Sequence, residues 1–405
     1  MTYIQKGTNE YKLASLALFI GGFVTFSTLY TTQPLLPIIS KEFHVSPSTS
    51  SLTLSLTTGT LALALLVAAA FSDVIGRKRI MVLSLLSTSL IGVLCAITPN
   101  FFSLAMLRGL LGLSMAGVPA IAMTYIVEEF HPKGIGQIMG LYISGTAIGG
   151  MTGRILTGVF TDLFHWRISL ELMGILSLIL SIFFWMILPG ERNFTKNAFR
   201  WKPIITGYKT HLTDKKLMLL IICPFFIMGS FIIVYNYIGF MLMEPPYNLS
   251  QTIIGFLFIV YLSGTYSSIL MGGKADHHGK QFILMLSLGL MGAGALGTLV
   301  PNLILKIVFL AIFTFGFFAA HSIVSSWVGN DAKTNKAQAS SLYLLFYYLG
   351  SSLIGSFGGI FWTYFHWAGV VVLIILLLSI SYLLIFIRTQ MEEKQNKTKA
   401  DTNQS

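Results

Sequence analysis

Charge is what this sequence has least of. Only 10% of the 405 residues are Asp, Glu, Lys or Arg, against roughly a quarter in an ordinary soluble domain. The hydrophobic share is 54%, and together these numbers exclude a soluble globular protein. Cysteine is nearly absent as well. Cys95 and Cys223 both lie inside apolar runs, which excludes a disulfide framework, a metal knuckle and redox chemistry. No cluster with metal-ligand spacing and no Ser/His/Asp arrangement occurs, so no metal, no cofactor and no enzyme activity are expected. Two near-matches to nucleotide motifs fail. Between Gly273 and Gly279 stand five residues where a phosphate loop has four, and Gln281 occupies the place of the magnesium-binding Ser or Thr. Gly292, Gly294 and Gly297 fit GxGxxG but follow no strand and read as a packing face.

Long apolar runs are what the chain has in place of charge. A hydrocarbon core about 30 Å thick needs roughly 20 apolar residues per helix, so twelve spans with short connections use about 300 to 350 residues. Runs broken by charge, Gly, Pro and Asn predict spans 1 to 6 at Leu13 to Ile38, Ser50 to Phe71, Ile80 to Thr98, Phe101 to Val127, Ile135 to Phe160 and Ile168 to Leu188. Spans 7 to 12 are predicted at Leu217 to Leu242, Gln251 to Met271, Phe282 to Val300, Leu303 to Val328, Ala339 to Phe361 and Trp367 to Phe386. The first run is too long for a signal-peptide core, so span 1 is expected to be permanent.

The net charge of +11 resolves into an orientation. Of 26 basic residues, 21 fall in segments on the side of both termini, 3 (Lys41, Arg167, Lys306) on the other side, and Arg108 and Arg154 within spans. That bias places both termini in the cytoplasm. It also removes nucleic acid as a partner, because the positive charge is spread over loops rather than gathered on one face. Membrane lipid, a small-molecule substrate and protons as the coupling ion are the expected partners, with the chain working as a monomer.

The chain is duplicated. Tyr30 recurs as Tyr235, Asp73 and Gly76 as Asp276 and Gly279, and Pro99-Asn100 as Pro301-Asn302, at offsets of 202 to 205. Gln137, Leu141 and Tyr142 recur as Gln338, Leu342 and Tyr343, and Phe164-His165-Trp166 as Phe365-His366-Trp367, all at an offset of 201. The expected fold is therefore an all-α integral membrane protein with twelve transmembrane helices in two six-helix bundles. Residues 1–189 form the first bundle, 190–216 a cytoplasmic linker, 217–388 the second bundle and 389–405 a cytoplasmic tail. Parallel repeats of this kind mark a class of secondary transporters. A membrane enzyme or sensor, the non-transport alternative, would need a catalytic cluster or an appended soluble domain, and the sequence shows neither.

The loop after span 2 reads Asp73-Val-Ile-Gly76-Arg77-Lys78-Arg79, and the loop after span 8 reads Asp276-His-His-Gly279-Lys280. Each has an acid at a helix end, a Gly turn and a cation four residues after the acid. Glu128 and Asp331, at the ends of spans 4 and 10, are also 203 residues apart, so one charge constellation is expected twice. Ion pairs at helix interfaces are bistable contacts suited to gating.

From Ala69 to Arg79 the sequence resembles the signature loop of the major facilitator superfamily, G-x-x-x-D-R/K-x-G-R-R/K. Asp73, Gly76, Arg77 and Lys78 match, while Ala69 and Val74 depart from it. The resemblance extends over essentially the whole chain and implies the major facilitator fold. It further implies that Asp73, Arg77 and either Glu128 or Glu129 lock one state of the transport cycle. Arg108 and Gly112 resemble an R-x-x-x-G motif of proton-linked members, with Leu111 where many have Gln. Gln33-Pro34-Leu-Leu-Pro37 and Gly150-Met-Thr-Gly153-Arg154 resemble a bacterial branch of efflux permeases related to drug:proton antiporters, although the antiporter Gly-Pro element is missing from span 5.

Arginines within spans need a wet cavity, a partner or a route to the surface, which makes Arg108 and Arg154 candidates for substrate chemistry. Glu171, the carboxylate within a span, is either a proton carrier or the neutralising partner of Arg154 or Arg167. Tyr30, Gln33, Tyr235, Asn236 and His321 are further cavity candidates, although a lone His in an apolar helix, such as His321, is more often packed than functional. Gly145, Gly149 and Gly153, with Gly150 beside them, form a small-residue face for close helix contact. The expected function is proton-coupled export of a small organic compound or drug by alternating access across a bacterial cytoplasmic membrane. The competing substrate is a carboxylate-bearing metabolite, favoured by two intramembrane arginines.

Overall fold

A chain crossing lipid must satisfy its backbone internally, and the computed structural model, which describes residues 3–195 and 201–402, is helical throughout apart from one isolated bridge between Ile4 and Phe130. Among the described residues, ten helices are long and apolar enough to cross a membrane. Spans 1 to 4 are Asn9–Leu29, Pro47–Ile75, Arg77–Ala96 and Phe101–Glu129, and span 6 is Trp166–Ile187. Spans 7 to 10 are Lys215–Met243, Gln251–His278, Lys280–Gly297 and Leu303–Asp331. The tenth, Lys336–Glu393, is broken by a non-helical His366 (φ 52°, ψ −148°) and so makes spans 11 and 12. Span 5, Ile135–Leu163, a 29-residue helix, completes twelve.

Two expectations change. Span 1 ends at Leu29 rather than Ile38, because Pro34 and Pro37 cannot donate to a continuing helix; residues 30–35 form a turn before a short helix, Leu36–Glu42. The connection at 190–216 holds a helix, Trp201–Thr213, while its residues 196–200 lie outside the described residues, as do 403–405 of the tail.

The repeat is visible in the contacts. Asn100 caps span 4 by accepting from the Ser103 amide (2.9 Å), and Asn302 caps span 10 by accepting from the Leu305 amide (3.1 Å). Gly76 (φ 115°) and Gly279 (φ 89°) make the same left-handed turn, which a Cβ would strain. A Cβ on Gly149 would strike the Phe23 carbonyl, and one on Gly350 the Phe225 carbonyl. Gly145, Gly149 and Gly153 meet Phe19, Phe23 and Ser27 in turn, so one glycine ladder closes span 5 onto span 1. Gly112 lies equally close to the Thr57 carbonyl of span 2.

Contacts divide the chain into two compact units, Met1–Arg200 with Asn236–Ile259, and Trp201–Tyr235 with Val260–Ser405. The first therefore includes the later part of span 7 and the start of span 8. Its apolar core gathers Leu18, Val24, Met81, Leu85, Ile121 and Tyr125 from spans 1, 3 and 4.

Candidate functional site

In the first unit the turn at Gly76 puts Asp73, on the last turn of span 2, and Arg77, the first residue of span 3, on one side of the chain. The Arg77 guanidinium pairs with Asp73 at 2.5 Å and takes Glu128 in a two-pronged grip, with Nε to Oε2 at 3.0 Å and Nη2 to Oε1 at 2.8 Å. Its Nη1 also donates to Ser72 Oγ at 2.5 Å, and its outer face lies 5.5 Å from the Phe194 ring. A planar fork of this kind holds geometry that a lysine could not.

The two adjacent acids of span 4 have separate partners. Glu128 holds Arg77, whereas the fully buried Glu129 accepts from the backbone amides of Arg192 and Asn193, each at 3.0 Å. Lys78 is tied to the same stretch, its amide donating to Glu191 Oε2 (3.1 Å) and its ammonium to the Leu188 carbonyl. Ser72, Glu191 and Phe194 escape a sequence reading because they lack the family spacing, although Glu191 is an acid placed directly after a Pro-Gly turn.

The second unit repeats the turn and not the chemistry. Among the described residues no ion pair joins Asp276, Lys280 and Asp331; Asp276 is exposed and Lys280 half-buried. Asp331 instead pairs at 2.5 Å with Arg388, near the end of span 12, and Arg388 also pairs with Glu392 (2.8 Å) and stacks 4.1 Å from the Trp327 ring. The expected second copy of the constellation is thus replaced by one built around Arg388. In the sequence Arg388, the last residue of the expected second bundle, is one of the 21 basic residues on the side of both termini.

At the other end of span 1, four of the residues singled out in the sequence meet. Arg154, 1% exposed, donates from Nε to Gln33 Oε1 (2.7 Å) and from Nη1 to the Gly150 carbonyl (2.7 Å). Its guanidinium lies between two rings, 3.8 Å from Tyr30 and 4.5 Å from Phe258. Gln33 Nε2 then donates to Asn236 Oδ1 at 2.8 Å, and the buried Asn236 Nδ2 has no hydrogen-bond partner among the described residues. Gln33 can reach because it sits in the turn that ends span 1. The hydrogen bonds all run one way, from guanidinium to amide to amide, so the chain terminates in a donor. An acceptor would complete it. Phe258 was invisible in the sequence as one apolar residue among many.

Other candidates fall elsewhere. Arg108 is buried and donates to main-chain carbonyls, Thr53 at 2.8 Å, Leu29 at 2.6 Å and Thr28 at 3.2 Å, which ties spans 1, 2 and 4 together instead of facing a cavity. Glu171 is exposed and forms no ion pair among the described residues. It does not neutralise Arg167, which faces Glu42 at 3.8 Å and donates to the carbonyls of Ala96 and Thr98. In the second unit Tyr235 OH lies 2.5 Å from Thr314 Oγ1 within an aromatic group that includes Phe231, Tyr261 and Phe317. Phe317 stacks on His321, whose Nδ1 is 2.5 Å from Tyr343 OH.

Residues 18–355 match the Major Facilitator Superfamily. The chain is 44% identical over 381 residues to YybF of Bacillus subtilis (strain 168), named an uncharacterized MFS-type transporter, with 94% of each chain covered. It is equally 44% identical over 381 residues to the inner membrane transport protein YnfM of Escherichia coli (strain K12), covering 94% of this chain and 91% of that one. Among solved structures, a bacterial homolog of the human lysosomal transporter Spinster, inward-facing and unoccupied, shares the fold at a TM-score of 0.80 and 14% identity, covering 95% of this chain and 98% of that one. The nucleoside transporter NupG does so at 0.75 and 15% identity, covering 93% and 99%.

Proposed function

The chain belongs to the Major Facilitator Superfamily and is a multi-pass membrane transporter rather than an enzyme, and from that premise we propose that it exports a small carboxylate-bearing organic compound in exchange for protons by alternating access. The observation that carries this reading is the one-way hydrogen-bond chain from Arg154 through Gln33 to Asn236, with its buried terminal donor. A buried guanidinium and an unsatisfied amide N–H both gain from an anionic acceptor, and in a low-dielectric site each such bond is stronger than in water. The two rings lie against the guanidinium itself and hold Arg154 in place.

In this reading both termini are cytoplasmic, so the Asp73–Arg77–Glu128 lock lies at the inner end of the first unit and the Arg154 chain near its outer end. The lock holds spans 2, 3 and 4 together in one state and releases them in another. His321, packed on Phe317 with its Nδ1 2.5 Å from the Tyr343 hydroxyl, is the candidate group for proton coupling in the second unit.

Flux in proteoliposomes tests the proposal. Aromatic and aliphatic carboxylates are expected to move faster under an imposed pH gradient, and their neutral amides are not. Arg154→Gln should weaken carboxylate transport about tenfold, the equivalent of about 1.4 kcal/mol. Equal flux of acids and amides, or indifference to the gradient, would contradict the reading.

A further inference from the structure

The glycine ladder that seals span 5 onto span 1 stops at Gly145. One turn and two turns nearer the lock end, the same face of span 5 carries Leu141 and Gln137, side chains too large for helix contact of that kind. The helices part there, bridged by the Tyr11 hydroxyl donating to Gln137 Oε1 (3.5 Å), and leave a groove of about 620 Å³, within the range of small-molecule sites. Its walls combine Lys12, Ser15 and Phe19 of span 1 with Gln137, Leu141 and Ser144 of span 5.

The chemistry of the walls is specific. Lys12 is exposed and forms no ion pair among the described residues, so the groove holds a cation. Ser15 and Ser144 spend their hydroxyl protons on the carbonyls of Tyr11 (2.6 Å) and Gly140 (2.8 Å), which leaves oxygen lone pairs as acceptors. Phe19, Leu16 and Leu141 supply an apolar bed.

The duplicated half shows what this corner accommodates. There the counterpart of Gln137 is Gln338, and the helix Trp201–Thr213 covers it. A Cβ on Gly207 would come within 3.0 Å of Gln338 Cγ, His211 Nε2 is 3.0 Å from the Asn335 carbonyl, and the Tyr208 hydroxyl bonds Ser341. The second unit fills the corner with its own chain, whereas the first leaves it open and lined by a cation.

We propose that the groove between spans 1 and 5 is a second binding station for an amphipathic anion, whose carboxylate or other acidic head meets Lys12, whose hydrogen-bond donor meets Ser15 or Ser144, and whose apolar body lies on Phe19 and Leu141. This rests on the carboxylate reading above only for a soluble occupant; an acidic lipid headgroup has the same chemistry. The station differs from the Arg154 chain, which is buried and at the far end of span 1. A compound leaving the cytoplasm would meet Lys12 first.

Titration of the full-length protein in phosphatidylcholine nanodiscs with the fluorescent carboxylate naphthoate, and with neutral naphthamide, tests this. Naphthoate is expected to bind in two components. Lys12→Gln should weaken one about fivefold, the worth of a solvent-accessible ion pair near 1 kcal/mol; Leu141→Trp, which fills the groove, should remove the same one, and Lys12→Arg should keep it. Arg154→Gln should weaken the other about tenfold. If Lys12→Gln and Leu141→Trp both titrate like the wild type, or if naphthamide binds as tightly as naphthoate, the station is overturned. If Arg154→Gln alone has no effect, the Arg154 reading falls and the groove stands. Adding phosphatidylglycerol identifies the source: competition at the Lys12 component upholds the station as a lipid headgroup site, and its absence upholds it as a site for a soluble anion.

Discussion

The corners at Gly76 and Gly279 share a backbone and differ in what that backbone holds. In the first, Arg77 is nearly buried among Asp73, Glu128 and Ser72. In the second, Lys280 has no ion-pair partner among the described residues, and Asp331 is taken by Arg388 from another helix. Duplication fixed the turn, because a left-handed glycine is a steric requirement. The charges were free to be reassigned, because any cation reaching Asp331 satisfies it. The Arg388 cluster joins spans 10 and 12, whereas the Arg77 lock joins spans 2, 3 and 4, so the two corners cannot open by the same movement.

Arg77 is where the two corners differ most. Arg77→Gln leaves Asp73 and Glu128 facing each other, and because both acids reach solvent (41% and 28% exposed) the loss is below that of a fully buried pair, about 2 kcal/mol. Flux should fall about thirtyfold if that energy is needed to hold one state of the cycle. Arg388→Gln should act on stability instead, by about 2 kcal/mol, read as a lowered midpoint in thermal unfolding with flux changed less than by Arg77→Gln. Gly149→Leu and Gly350→Leu probe what the two units share. Both glycines touch a carbonyl of a facing helix, so both substitutions should destabilise by about 1 to 3 kcal/mol, and a large difference between them would show that the ladders are not equivalent. Lys280→Gln should be nearly silent, within about 0.5 kcal/mol and less than about twofold in flux. A loss as large as that of Arg77→Gln would restore the symmetric lock.

How far the sequence could be read followed the physics of each feature. Spans were legible because burial in lipid demands long apolar runs, and the turn at Gly76 because few residues can make it. Tyr30, Gln33, Arg154 and Asn236 could each be singled out as polar groups in apolar surroundings, yet nothing in their spacing shows that they form one chain, since Asn236 comes from the other half of the sequence. Arg388 was hidden by its company, as a basic residue before a basic tail has the same appearance whether it anchors the helix or pairs with Asp331. Arg108 and Glu171 misled in opposite ways. A charge in a span calls for an explanation, but backbone carbonyls satisfied Arg108 and outward orientation accounts for Glu171. The helix Trp201–Thr213 is short and polar, so it carried no membrane signal.

In the proposed cycle the Asp73–Arg77–Glu128 cluster gates, and the carboxylate-bearing compound binds elsewhere. Asp73→Asn separates the two, measured as pH-gradient-driven carboxylate flux in proteoliposomes alongside equilibrium binding of the same compound to the purified protein. The account predicts that flux falls about tenfold or more while affinity stays within about twofold. Affinity lost together with flux, or flux unchanged, would contradict it.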